Sequence, residues 1–77
     1  MPNIEFQLDQ QHPHIELCSL LKLTGIASSG GQGKLLVANG EVSVDRRPES
    51  RKTAKIHAGQ VVECRGTVVS LVAARGN

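Results

Sequence analysis

The chain has 77 residues and a mass of 8.2 kDa, and its 9 Lys and Arg residues against 7 acidic residues give a net charge of +2. A chain of this length forms one domain whose core supplies only about 3 to 5 kcal/mol, and it is too small to enclose a large substrate pocket. No apolar run approaches the roughly 20 residues of a membrane span, and the start of the chain lacks a signal-peptide pattern. We therefore expect a cytoplasmic protein with no membrane partner and no small-molecule substrate.

Several classes of site are disfavoured by composition. Phe6 is the only aromatic residue apart from the histidines, whereas proteins that read single-stranded nucleic acid stack bases on aromatic side chains. Cys18 and Cys64 are too few for a disulfide framework and lack the spacing of a structural zinc site. No nucleophile–histidine–acid signature or phosphate-binding loop motif occurs. We expect no catalytic residues, no metal and no cofactor.

The first half of the chain predicts a strand followed by a helix. Apolar and polar residues alternate over residues 4–9, which indicates a half-buried strand. Pro13 suits the first turn of a helix, and the leucines that follow predict a helix that continues to about Leu23. Gly25 is the expected left-handed stop.

A second helix is predicted after the serine- and glycine-rich stretch. Ser29 and Gln32 have the spacing of a capping box, and Asn39-Gly40 is a typical helix end. Gly33 falls on the apolar face of this helix, which would let the two helices approach closely. The fold predicted for this half is a pair of short helices joined by a turn.

Gly30 and Gly31 open this second helix, where glycine carries a cost in helix propensity. One interpretation is functional: bare backbone N–H groups at a helix start bind an anion such as phosphate, and Lys34 would reinforce the site. The alternative is that the two glycines only accommodate a tight turn between the helices. Their spacing does not decide between these interpretations.

The second half predicts short strands. Val42 and Val44 alternate with polar residues, the chain turns at residues 46–48, and Pro48 is expected at a sheet edge. After Lys55-Ile56, residues 61–64 and 67–72 are expected to form an antiparallel pair, and residues 73–77 a frayed tail. The fold class is therefore α+β. We expect residues 1–77 to form a single domain with an N-terminal strand, two helices and a short antiparallel sheet of hairpins.

Positive charge is concentrated in the second half. Residues 1–40 carry two lysines against three acidic residues, whereas residues 41–77 carry seven cations against four acidic residues. Five of these cations lie in one stretch with a single glutamate, and they are Arg46, Arg47, Arg51, Lys52 and Lys55. Such a cluster is a candidate surface for a polyanion, although a solvated loop with no partner is the alternative.

The order of these elements resembles the RNA-binding module named after ribosomal protein S-four, the αL type, and in particular the small stand-alone bacterial YbcJ family. The resemblance spans roughly residues 12–64. The residues that carry it are His12-Pro13, Ile15-Glu16-Leu17, Leu20-Leu21-Lys22, Gly25, Ser29-Gly30-Gly31, Lys34, Leu36, Gly40, Val42, Val44, Asp45, Glu49, Arg51-Lys52, Lys55-Ile56, Gly59 and Val61-Val62.

The resemblance implies RNA binding without catalysis, through the two-helix motif and the neighbouring basic segment. The candidate RNA-binding residues are Lys22, Ser29, Gly30, Gly31, Lys34, Arg46, Arg47, Arg51, Lys52 and Lys55. The sequence departs from the family pattern at Gly33, where alanine is usual, at Asp45-Arg46, where Asn-Gly is usual, and at Gln60, where aspartate is common. The second departure puts the two-residue hairpin turn in doubt.

The function predicted is recognition of structured RNA through its phosphates. Ribosomal or transfer RNA is a plausible partner, and so is the ribosome or its precursors. Because aromatic residues are lacking, shape should matter more than base identity. The alternative is a protein-interaction module whose basic cluster docks an acidic partner.

Overall fold

The computed structural model describes residues 3–74, in which seven strands and two helices follow one another. In chain order they are β1 (Asn3–Gln7), β2 (His14–Glu16), α1 (Leu17–Leu23), α2 (Gly30–Ala38), β3 (Val42–Val44), β4 (Arg47–Pro48), β5 (Lys55–His57), β6 (Val61–Cys64) and β7 (Thr67–Val72). The predicted α+β class is confirmed. Of the expected tail, Arg75–Asn77 lies outside the described residues. None of the described helices is long and apolar enough to cross a membrane.

Five strands form the main sheet in the order β1-β7-β6-β3-β4. The predicted antiparallel pair of β6 and β7 is confirmed, with Val62 opposite Val69. Pro48 lies in the edge strand β4, as expected for a residue that cannot donate a backbone hydrogen bond. The N-terminal strand, for which the sequence predicts no partner, forms the other edge and runs parallel to β7, so the sheet is mixed. This pairing joins the two ends of the described chain, and local sequence patterns do not encode such distant contacts.

The prediction that the first helix begins at Pro13 is also wrong. Residues 14–16 form β2, which pairs antiparallel with β5 and sets Ile15 opposite Ile56. The chain becomes helical only at Leu17, whose N–H donates to the carbonyl oxygen of Ala54 over 2.9 Å. The long-range pairing of two β-branched residues therefore outweighs the preference of proline for a helix start.

The second helix forms as predicted. Ser29 is its N-cap, and the Ser29 hydroxyl accepts a hydrogen bond from the Gln32 N–H over 3.1 Å. The return bond of the capping box is displaced by one residue, because the Gln32 side-chain oxygen accepts from the N–H of Ser28 rather than from that of Ser29. Gly40 ends the helix with a φ of 75°. Both ends of α2 are therefore determined by local sequence signals.

The hairpin between β3 and β4 turns one residue earlier than predicted, at Asp45-Arg46. Their φ angles of 52° and 67° are those of a two-residue primed turn, so the turn persists without the usual Asn-Gly. Asp45 stabilises it, because its carboxylate accepts from the Val61 N–H over 3.0 Å and from the Gln60 side chain over 3.4 Å. These contacts hold the hairpin turn against the start of β6.

The core lies between one face of the main sheet and the two helices. Its members are apolar, and no polar or charged residue is buried among residues 3–74. Its largest fully buried side chains are Leu17, Leu20, Leu21, Ile56, Val37, Val42, Val62, Val69 and Cys64. Three leucines of α1 belong to this set, so burial fixes α1 firmly against the sheet.

Candidate nucleic-acid interface

The first turn of α1 brings two distant parts of the chain together around Cys18. The Cys18 N–H donates to the carbonyl oxygen of Lys52 over 3.0 Å. On the other side, a Cβ atom added at Gly33 would lie 2.8 Å from the Cys18 carbonyl oxygen. The basic segment and the start of α2 therefore flank the same residue of α1. This juxtaposition unites the two groups of candidate residues that the sequence presents separately.

The start of α2 presents backbone N–H groups that have no protein acceptor. Ser29 accepts from two of the early amides of the helix, those of Gln32 and Gly33. The N–H groups of Gly30 and Gly31 have no acceptor within residues 3–74. With their positive helix-dipole end, these two amides are suited to bind an anion.

The space in front of these two amides is open. A Cβ atom added at Gly30 would meet nothing within 4 Å, and one at Gly31 would meet only the Ser29 hydroxyl at 3.8 Å. Neither glycine has a positive φ. The interhelical turn therefore does not require glycine at either position, and the backbone there is open to close approach.

Two lysines lie beside the contact between the helices. Lys34 follows Gly33 on α2, and Lys22 lies one turn after Cys18 on α1. Both side chains are exposed, and neither forms an ion pair in the described part of the chain. Their charges are therefore available to a polyanion that reaches this end of the helix pair.

The basic segment next to α1 is folded into a turn. The Ala54 N–H donates to the carbonyl oxygen of Arg51 over 3.1 Å. A groove of about 350 Å³ is lined by Arg51, Thr53, Ala54 and Lys55. The sequence analysis missed Thr53, since one threonine among charged residues gives no signal. The backbone of this turn is tied to the start of α1 by the hydrogen bonds from Leu17 to Ala54 and from Cys18 to Lys52.

One of these cations is already paired within the protein. The Arg51 guanidinium lies 3.4 Å from the Glu49 carboxylate, which also accepts from the Arg51 N–H over 3.1 Å. These hydrogen bonds from Arg51 hold the pKa of Glu49 below its usual value. Glu49 is therefore charged at neutral pH and partly offsets Arg51, so Lys52 and Lys55 are the unpaired cations of this turn.

Arg46 and Arg47 lie apart from the residues around Cys18. They belong to the β3–β4 hairpin at the edge of the main sheet, where the side-chain bonds of Asp45 run to β6 and Gln60. Both arginines are exposed. Within residues 3–74 no hydrogen bond joins this hairpin turn to either helix. The ten candidate residues thus comprise a group on the helices and the basic turn and a pair on the hairpin, where Arg47 shares a groove with Glu49, the partner of Arg51.

The two cysteines are buried, free thiols. Burial raises the pKa of the Cys64 thiol, which keeps it protonated at neutral pH. No group of three or more His, Cys, Asp and Glu side chains in the described part of the chain is arranged to hold a metal ion. The candidate residues on the helices and the basic turn therefore provide hydrogen-bond donors and positive charge.

Comparison with known proteins identifies relatives along most of the chain. The model of the S4 domain family matches residues 6–72. YbcJ of Escherichia coli (strain K12), a proposed RNA-binding protein, is 52% identical over 63 residues, which cover 82% of this chain and 90% of YbcJ. RlbA of Bacillus subtilis (strain 168), a proposed ribosome maturation protein, is 38% identical over 52 residues, covering 68% of this chain and 73% of RlbA.

A solved structure has the same fold. The solution structure of E. coli YbcJ, described as containing an αL motif involved in RNA binding, superposes with a TM-score of 0.70 at 51% identity. The match covers 90% of this chain and 86% of the YbcJ chain. On the length of the family match and the identity to YbcJ, this chain belongs to the S4 domain family, in the branch that contains YbcJ.

Proposed function

We propose that this protein binds structured RNA through its phosphate groups and has no catalytic activity of its own. The observation that carries the proposal is that Cys18 contacts both the basic turn at residues 51–55 and Gly33 of α2, one helical turn after the open amides of Gly30 and Gly31. Helix-start amides and exposed lysines are both ligands for phosphate oxygens. The names of the relatives, an RNA-binding protein and a ribosome maturation protein, agree with this chemistry.

In this proposal the two parts of the surface have different tasks. The N–H groups of Gly30 and Gly31 hold one phosphate by direct hydrogen bonds, and Ser29 keeps the helix end in place. Lys22, Lys34 and the cations of the basic turn neutralise neighbouring phosphates and release counterions. Arg46 and Arg47 extend the positive surface onto the hairpin, where Arg47 shares a groove with Glu49.

The class of RNA proposed is one with a folded backbone rather than an extended single strand. Phe6 is half-buried against the core, so the described surface offers no tyrosine, tryptophan or exposed phenylalanine on which a base would stack. Recognition then depends on the spacing of phosphates, which a helix or loop fixes and a flexible strand does not. Ribosomal RNA, in the cytoplasm and during assembly of the ribosome, fits both this requirement and the name of the RlbA relative.

A fluorescence-anisotropy titration tests the proposal. Purified protein is titrated into a labelled RNA hairpin and into a single-stranded RNA of equal length, each at several salt concentrations. Tighter binding to the hairpin is expected, with a log–log salt slope of about −3.5 to −4.5 if five phosphates are neutralised. A slope near zero would contradict phosphate recognition, and equal affinity for the two RNAs would contradict recognition of shape.

A further inference from the structure

A groove of about 490 Å³ lies beside the end of β1, and its lining includes none of the candidate RNA-binding residues. Its walls come from the end of β1, from β2 and from Ser19 of α1. Phe6 and Ile15, both half-buried, give it an apolar floor. The consecutive residues 6–9 on one wall and 14–16 on the other both line it. Since side chains alternate along a strand, consecutive lining residues mean that main-chain atoms also border the groove.

The wall formed by β1 is an unpaired sheet edge. The Leu8 N–H donates to the carbonyl oxygen of Val72 in β7 over 2.9 Å. Because N–H groups point alternately to the two sides of a strand, those of Glu5 and Gln7 point away from β7. Within residues 3–74 no strand pairs with this side of β1. Main-chain donors and acceptors are therefore free along this edge.

The other wall also carries unpaired main-chain groups. The N–H of His57 donates to the Gln60 side chain over 2.7 Å, so His57 exchanges no main-chain bond with His14, its partner in the register of β2 and β5. In an antiparallel pair, hydrogen-bonded and non-hydrogen-bonded residue pairs alternate, so the main-chain hydrogen bonds between β2 and β5 are exchanged by Ile15 and Ile56. It follows that the main-chain groups of His14 and Glu16 point away from β5.

The two edges of the main sheet are protected to different degrees. The edge strand β4 has two residues, one of them Pro48, and carries Arg47. The edge strand β1 has five residues and contains neither proline nor lysine. Short strands, proline and lysine are the usual devices that prevent an edge from pairing with another chain. Only β1 lacks them, so it is the edge open to an added strand.

The charged residues around the groove indicate the charge of the partner segment that it would bind. Asp9 and Glu16 line it together with His12 and His14, and no lysine or arginine is among the lining residues. The His12 ring lies 3.7 Å from the Asp9 carboxylate, whereas Glu16 has no ion-pair partner among the described residues. Lys55 lies opposite Glu16 in the β2–β5 register but forms no ion pair with it in the described residues. An RNA backbone would be repelled here. A second copy of this chain paired through β1 would bring two acidic sets together.

We propose that this groove binds an extended, lysine- or arginine-bearing segment of a partner protein, which adds as a strand to the free edge of β1. The main-chain groups of Glu5 and Gln7 pair with the segment, an apolar side chain enters between Phe6 and Ile15, and its cations lie near Asp9 and Glu16. This is the strand-addition mode of peptide recognition. The groove adjoins the basic turn through the pairing of Glu16 with Lys55 but shares no lining residue with the RNA surface, so one molecule would join an RNA to a basic protein.

The proposal is tested by nuclear magnetic resonance with the ¹⁵N-labelled chain. The probe is a heptapeptide in which lysine and valine alternate, and the matched control peptide has glutamate in place of lysine. The lysine peptide is expected to give saturable amide shifts that are largest at Glu5, Gln7, His14 and Glu16.

The combined variant Asp9→Asn and Glu16→Gln is expected to bind about tenfold more weakly, since two screened charge interactions are lost. Glu63→Gln, an acidic residue on β6, is the control variant and should bind like the unaltered chain.

A second variant tests the strand pairing itself. Gln7→Pro removes an N–H that points away from β7, and proline is tolerated at that kind of edge position. It should abolish binding of the lysine peptide while the protein keeps its circular dichroism spectrum. Absence of saturable shifts, equal binding of the glutamate peptide, or shifts confined to the basic turn would overturn the proposal. It would equally be overturned if an RNA hairpin shifted the groove residues, or if sedimentation showed the chain dimerising through β1.

Discussion

At the scale of single residues, Gly33 decides how the two helices meet. It is buried against α1, and the Cβ position that any other residue would occupy lies 2.8 Å from the Cys18 carbonyl oxygen and 3.4 Å from its Cα. Real Cβ atoms do not approach backbone oxygen so closely, so even alanine forces the helices apart. The position that sets this contact also sets the distance between the start of α2 and the basic turn.

Gly33→Ala is therefore expected to destabilise the protein. Overpacking typically costs about 1 to 3 kcal/mol, and the gain of about 1 kcal/mol in helix propensity offsets only part of it. Urea unfolding should show a lower midpoint with an unchanged slope. Gly31→Ala is the matched control, because its Cβ would meet only the Ser29 hydroxyl at 3.8 Å, and its midpoint should stay equal or rise. A midpoint for Gly33→Ala at or above that of the unaltered chain would contradict the close contact.

Glu49 gives a pH dependence whose sign follows from its lowered pKa. A carboxyl whose pKa is lower in the folded state stabilises the fold above its ordinary pKa of 4.5, and this contribution is lost as the pH falls through the folded-state value. Glu49→Gln should thus lower the melting temperature at pH 7, and the difference should vanish in acid. Circular dichroism melts of both proteins between pH 7 and pH 2 measure this. A difference that persists at the acid end would mean that shape rather than charge is responsible.

At the scale of elements, local signals predicted α2 well and α1 poorly. The serine cap, the glutamine three residues later and the stop at Gly40 act within one or two helical turns, so the sequence alone reveals both ends of α2. The start of α1 depends instead on hydrogen bonds from Leu17 and Cys18 to residues 54 and 52. No pattern within residues 12–17 carries that information, so the sequence favours a helix start at Pro13 that the fold does not adopt.

In the sheet too, contacts between neighbouring segments could be predicted, whereas contacts between distant segments could not. The hairpin of β6 and β7 was predictable, because two valine-rich segments are joined by the two-residue turn Arg65-Gly66. The parallel pairing of β1 with β7 was not, because its partners lie at opposite ends of the chain. The candidate site falls between these cases: its residue types were evident from composition and resemblance, whereas the meeting of two segments at Cys18 required the fold.

At the scale of the whole molecule, charge is divided between two sides. Around the helices and the basic turn the described cations Lys22, Lys34, Lys52 and Lys55 have no ion-pair partner. The groove beside β1 is acidic, and Arg65 at the β6–β7 turn is neutralised by Glu41 at 3.1 Å. Hydrogen bonding to Glu41 raises the pKa of Arg65, which stays charged and paired. A polyanion is thus attracted to the helices, the basic turn and the hairpin rather than to the groove beside β1, which orients the domain as it approaches RNA.

This division predicts which lysines and arginines determine RNA affinity. Lys52→Gln and Lys34→Gln should each weaken binding to the hairpin and make the log–log salt slope shallower by about 0.7 to 0.9, because one fewer phosphate is neutralised. Arg65→Gln removes the same formal charge from the paired position at the β6–β7 turn, and its slope should equal that of the unaltered chain. Anisotropy titrations of the three variants at four salt concentrations compare them directly. If Arg65→Gln changed the slope as much as Lys52→Gln, net charge alone would govern binding and the surface around Cys18 would have no special role.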